Sequence, residues 1–316
     1  MVKSYGLLGL RYRLAKLWLT ILVTVTCNVT HAAGFVMACK SRVESLASNE
    51  NERFILRENQ ALTATLIESL LKVRGPAVCG HKVSDTFIVA IHEGVHSLDE
   101  AIQVMSDVQA MKGPGRRKAF YLPSMERLSV PFMELPQPNQ IFEEFWRQKT
   151  MAPKEQSSSG FVDFYRSYIE DPSTTASKNF LEGLSELNAY THGLISSTRI
   201  SVRLGKSIPS LFSQRSGVLF FLTFTKIYFS QLRRTHPELW NKLILAPHIK
   251  DFVSTLVVNA IDALEHSRIC MNANADDRGI SADLQSYGDG DSLGLAIGAA
   301  TTTRLDTALS CLKVRK

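Results

Sequence analysis

Apolar residues recur at helical spacing over most of the chain, and only two short stretches break that rhythm. In "NERFILRENQALTATLIESLLKVRG", residues 51–75, the spacing predicts one helix with Leu62, Leu66, Leu70 and Val73 on a single face. Gly75-Pro76 ends it. A second helix is predicted from Ser84 or Asp85, either of them a good N-cap, to about Val108. "MKGPGRRK" then interrupts the chain with two glycines and a proline. "KAFYLP" and "RLSVPF" read as short extended segments, and their prolines exclude central strands. "QPNQ" and "APKEQSSSG" read as polar loops, the second as a lid or linker. A further helix is expected to start at Ser173 or Thr174 and to carry "ASKNFLEGLSELNAYTHGLISS". Near the C-terminus "SGVLFFLTFTKIYFSQLRR" and "PHIKDFVSTLVVNAIDALEHS" again have helical spacing. The first contains Lys226 and reads as a core helix short of a membrane span.

Two polar stretches near the end look irregular. "NANADDRGISAD" has Asp277 and Asp283 where a calcium loop needs Gly and Glu. "GDGDSLGLAIG" follows no strand that would support phosphate binding. Both are expected to form a surface excursion between Cys270 and Cys311. The predicted fold class is mainly α (α+β), with a short edge β-sheet.

The first 33 residues are set apart from this pattern. Lys3, Arg11, Arg13 and Lys16 precede the apolar run "LWLTILVTV", and "NVTHAA" supplies small residues for cleavage after Ala32 or Ala33. This is the layout of a secretory signal peptide. Residues 34–316 are then expected to form a single domain, exported to the periplasm or secreted, with no stable membrane span. The whole chain carries 36 basic and 30 acidic residues, a net charge of +6. The leader holds four of the basic residues and no acidic ones, so the remainder is near neutral, at +2. Its charge gives no support for nucleic-acid binding. Cys39, Cys79, Cys270 and Cys311 remain after cleavage. An even number of cysteines in an exported chain predicts two disulfides. Cys39 and Cys79 bracket the first helix, and Cys270 and Cys311 the last polar stretch, so those are the expected pairs.

The chemistry concentrates in "VAIHEGVHSLDEAI", residues 89–102. Residues four apart share a helical face, so His92 and His96 can aim their imidazoles at one ion. Neutral imidazole is a good ligand for Zn2+. Glu93 lies about 100° around the helix, placed to act as general base on a water. Val89, Ala90, Ile91, Gly94, Val95, Ser97 and Leu98 are uncharged, as a buried metal site requires. Gly94 costs about 1 kcal/mol of helix propensity against Ala, which implies a close approach at that point.

In His92, Glu93 and His96 the sequence resembles the zincin metallopeptidases. The resemblance implies zinc held by His92 and His96, Glu93 as catalytic base, a zincin-like helical domain and a third ligand from elsewhere. The metzincin position for that ligand is occupied by Ile102. The aspartate-ligand segment is absent, and Asp163 in "GFVDFYRSY" matches it poorly. The gluzincin pattern takes a Glu from a downstream helix, and "LEGLSELNAYTHGL" offers Glu186 with Ala189 and Tyr190 behind it. Glu182, followed by Gly183, is the rival. Tyr190 and His192 are the candidates for stabilising an oxyanion.

The expected function is an exported zinc hydrolase acting on peptide or protein substrates. An extended substrate would align beside the short strands. The alternatives are a non-catalytic helical envelope protein with a structural metal or none, and a zinc hydrolase of a non-peptide amide.

Overall fold

The computed structural model describes residues 29–110, 117–149 and 157–312. Among them are fourteen α-helices and a single two-stranded sheet, so the architecture is mainly α with a short sheet, as the apolar spacing predicts. The first 28 residues of the expected leader lie outside the described residues. The expected cleavage point falls within α1 (Val29–Glu44).

The helix expected over residues 51–74 is two helices, α2 (Glu50–Glu58) and α3 (Gln60–Arg74). Asn59 interrupts them because its side-chain amide donates to the carbonyls of Ile55 and Gly94 at 2.8 and 3.1 Å. The break rotates the inward face: Thr63 and Ile67 are buried, whereas Val73 is 82 % exposed. Gly75, at φ +66°, turns the chain into a 3-10 segment, Gly75–Cys79. The helix α4 (Val83–Ala110) follows, with Ser84 and Asp85 in its first turn. The strands β1 (Arg117–Tyr121) and β2 (Arg127–Pro131) are antiparallel, with Phe120 opposite Leu128.

"QPNQ" is a helix start rather than a loop, because Pro138 opens α5 (Pro138–Lys149) at a position where its fixed φ suits a first turn. The lid or linker expected at "APKEQSSSG" lies largely outside the described residues. Its last residues cap and begin α6 (Ser159–Tyr165), and a π-helical turn, Arg166–Glu170, continues from it. The helix α7 (Phe180–Leu204) starts about six residues later than its spacing predicts, because the Asn179 side chain caps it.

Next come α8 (Pro209–Thr235), α9 (Pro237–Ile244) and α10 (Pro247–His266). Among the described residues no single helix is long and apolar enough to cross a membrane. Lys226 lies in the core region, where its ammonium donates to the Leu284 carbonyl at 2.7 Å.

The expected surface excursion between Cys270 and Cys311 is instead helical. It comprises α11 (Ile269–Asn272), α12 (Ala275–Ser286), α13 (Gly290–Ile297) and α14 (Ala299–Ala308). Three of its Asn and Asp residues cap helices: Asn274 and Asp277 form a capping box, and Asp289 accepts from the Ser292 amide. Ile280, Leu284, Leu293 and Ile297 are buried. A fully buried ion pair, Arg215–Asp277 at 2.9 Å, ties α12 to α8. Both expected disulfides are present, Cys39–Cys79 and Cys270–Cys311. The first joins α1 to the turn that leads into α4.

Candidate metal centre

Helices α4 and α7 face each other, and their adjoining turns bring together His92, His96 and Glu186. Glu186 Oε2 lies 3.5 Å from His92 Nε2 and 3.5 Å from His96 Nε2. One ligand atom from each of the three fits within 4.8 Å of the others, a group that could hold a metal ion. His92 Nδ1, His96 Nε2 and Glu186 Oε2 are buried without a hydrogen-bond partner. Each such atom costs about 1–3 kcal/mol if left unpaired, and two of them, His96 Nε2 and Glu186 Oε2, lie 3.5 Å apart where one cation could serve both. Burial alone would push the His96 imidazole down. The carboxylates of Glu186, first, and of Glu93 and Asp99 together outweigh burial and hold it up at about 9. Reciprocally, burial would raise Glu186, but the His96 and His92 rings keep it well below the usual carboxylate range. The field at this point favours positive charge.

The Gly94 position explains how α4 is placed. A Cβ there would come within 2.6 Å of Ile55 Cγ2 and 3.3 Å of Asn59 Nδ2, so α4 and α2 make the close approach the sequence implied. From the other side, His96 Nδ1 meets the Ser185 hydroxyl at 3.2 Å, and that hydroxyl donates to Asp99 Oδ2 at 3.0 Å. Asp99 Oδ1 accepts the Tyr121 amide at 2.6 Å. Burial pushes Asp99 up to about 7, against the pull of that amide, His96 and Lys118. Ser185 and Asp99 carried no signal in the sequence beyond their neighbours, since only the packing of α4 on α7 joins them.

Of the two candidate glutamates, Glu186 is the one brought to the histidines. Glu182 faces away from the histidines and forms an ion pair with Lys118 of β1 at 2.9 Å. Tyr190 borders the group, with its ring edge-on to His92 at 4.6 Å. Its hydroxyl shares a 2.9 Å hydrogen bond with Tyr168. Tyr168 sits on the π-helical turn and is a site residue the sequence reading missed. Its hydroxyl is pushed upward by burial and by Glu186, and burial also pushes up Tyr190, so both phenols stay protonated. The irregular turn that delivers Tyr168 has no periodic signature, which is why the spacing could not reveal it.

His192 is not part of the group. It is 2 % exposed and its Nε2 pairs with the Tyr121 carbonyl at 3.0 Å. Burial lowers it to about 4, so it is a neutral core histidine. Asp163 is exposed on α6 and also lies apart from the group. Glu93 is exposed on the solvent side of α4, beside the partly buried group of His92, His96 and Glu186. The strand edge at Tyr121 is not open: its amide is held by Asp99, and its carbonyl accepts from Asn188 as well as His192.

Comparison with known proteins finds no matching family model, curated protein or solved structure. The case for a metal centre rests on the three side chains and their surroundings.

Proposed function

We propose that the protein is a zinc-dependent hydrolase, most simply a metallopeptidase of an exported compartment. The observation that carries this reading is the convergence of His92, His96 and Glu186, with His96 Nε2 and Glu186 Oε2 buried and unpartnered, next to a glutamate open to solvent. Two imidazoles and one carboxylate are a donor set suited to zinc, and three protein ligands leave a position for a reactant. When bound, zinc supplies Lewis acidity toward a carbonyl and toward water. Glu93 takes the proton from the attacking water and passes it to the leaving amine. The Tyr190–Tyr168 hydroxyl pair, kept protonated, shares one proton between its two oxygens and has the other to donate to the carbonyl oxygen as charge develops on it. The two disulfides fit an oxidising, extracytoplasmic setting.

The test separates base from ligand. Glu93→Gln is expected to retain about one zinc per chain and to lose peptide hydrolysis by several orders of magnitude. Elemental analysis and a fluorogenic peptide library read the two quantities. A variant with full activity refutes the assignment of Glu93. A wild type that holds zinc yet cleaves no peptide leaves the non-peptide amide or the non-catalytic reading in its place.

A further inference from the structure

The buried chain behind His96 has a direction. The Ser185 hydroxyl spends its only proton on Asp99 Oδ2, so its oxygen is left to accept a proton from His96 Nδ1. Asp99 cannot turn over, because its other oxygen is fixed by the Tyr121 amide at 2.6 Å. With the proton held on Nδ1, the lone pair of the neutral ring lies on Nε2. That is the nitrogen facing Glu186, and it is one of the buried atoms without a partner. We propose that Asp99, acting through the Ser185 hydroxyl, is a positioning residue that selects the metal-binding tautomer of His96 and thereby sets the affinity of the group for zinc.

This inference rests on the metal-centre reading above and adds to it a pair of residues that touch neither metal nor substrate. It also yields an ordering that ordinary structural support would not. In Asp99→Asn the amide oxygen must stay on the Tyr121 N–H, so the amide NH2 faces Ser185. The hydroxyl then accepts from the amide and donates to His96 Nδ1. That arrangement forces the proton onto Nε2, where it blocks the ligand position. Ser185→Ala removes the relay without imposing either tautomer, so it is the milder change. Joined to Asp99→Asn, it removes the hydroxyl that conveys the wrong instruction.

The experiment measures the zinc dissociation constant of the full chain by competition with a chromophoric chelator at one fixed pH for all variants. Thermal unfolding of each metal-free variant checks its fold. Ser185→Ala is expected to weaken binding by about 10–100-fold, the usual cost of losing a group that orients a ligand. Ser185→Thr, which keeps the hydroxyl, is expected to stay close to wild type. Asp99→Asn is expected to lose more than ~100-fold, as an enforced wrong tautomer does elsewhere. The double variant is expected to bind better than Asp99→Asn alone, near the level of Ser185→Ala.

If Asp99→Asn does not fold, the contrast between Ala and Thr at position 185 decides the matter. Wild-type binding in Ser185→Ala overturns the positioning role and leaves the metal centre standing. Losses that simply add in the double variant also overturn it. A wild type that binds no zinc overturns both readings at once, and is distinguished by that result alone.

Discussion

Glu186 and His192 stand six residues apart on one helix, and their surroundings give them opposite tasks. Glu186 meets two imidazoles, which hold its carboxyl low. His192 meets a backbone carbonyl inside the core, where burial holds its ring down at about 4. The second shift has a measurable sign. Between pH 6.5 and 4 the unfolded chain takes up a proton at His192 that the folded chain refuses. Stability from this group is therefore complete above 6.5, falls as pH drops through the window and levels off below 4. A shift of this size corresponds to a loss on the order of 3 kcal/mol across the window. Asp99 runs the other way: its raised value favours the folded state at low pH and loses that advantage as pH rises toward 7. His192→Gln shares the Asp99 contribution, so the difference between wild type and variant isolates the histidine. Urea midpoints at pH 7 and 4.5 should show the wild type losing more stability than the variant on acidification. Equal losses would contradict a neutral buried ring. From the sequence, Glu186 was legible because it falls in a spaced pattern. The fate of His192 was not, because nothing local tells a core histidine from a site histidine.

At the level of elements, the seam between α7 and α8 depends on places where a side chain has been left out. A Cβ at Gly217 would come within 2.2–2.6 Å of three atoms of the Tyr190 ring. A Cβ at Gly183 would meet Phe224 at 2.5 Å, and one at Gly193 the Gln214 amide oxygen at 2.0 Å. The Tyr190 ring is rigid and also packs on His92, so an added methyl at 217 has to displace it. Gly217→Ala is expected to destabilise the protein by about 1–3 kcal/mol, more than the helix propensity gained, roughly 1 kcal/mol. It should also weaken zinc binding by disturbing His92. Denaturant titration and chelator competition check the two effects; a more stable variant with unchanged affinity would show that the seam is slack. The helices themselves were largely legible, since burial of one face imposes their spacing. Their starts were not. Asn59, Asn179 and Asn274 look alike in the sequence, yet one breaks a helix by binding a distant carbonyl and two cap helices. Only the partner tells them apart.

Across the whole molecule, the two disulfides close segments of nearly equal length, with sequence separations of 40 and 41. Each is worth roughly 3–4 kcal/mol in the chain-entropy model. Replacing both cysteines of one pair by Ser should lower the unfolding free energy by about that amount in either case. Non-reducing peptide mapping should recover Cys39–Cys79 and Cys270–Cys311 peptides. A Cys39–Cys270 peptide would mean that the bridges exchange or that the fold differs. These pairings could be read from position along the chain, because each bridge is local in sequence. The candidate metal group could be read only in part. His92 and His96 are one turn apart, so a helix alone brings them together. Glu186 lies 90 positions beyond His96, and only the packing of α4 on α7 makes the three a unit.

Tyr121 receives hydrogen bonds from Asn188 and His192 at its main-chain carbonyl and gives one to Asp99 from its amide, while its ring stacks on His192 at 5.8 Å. Any residue except proline offers the same two groups. Over evolutionary time, position 121 is thus free to drift as far as these hydrogen bonds are concerned, while the partners that make them are constrained. A comparison of descendants of this chain would find positions 99 and 188 resisting change without a correlated column to account for them. The point they answer to is written in the backbone, where substitution leaves no trace.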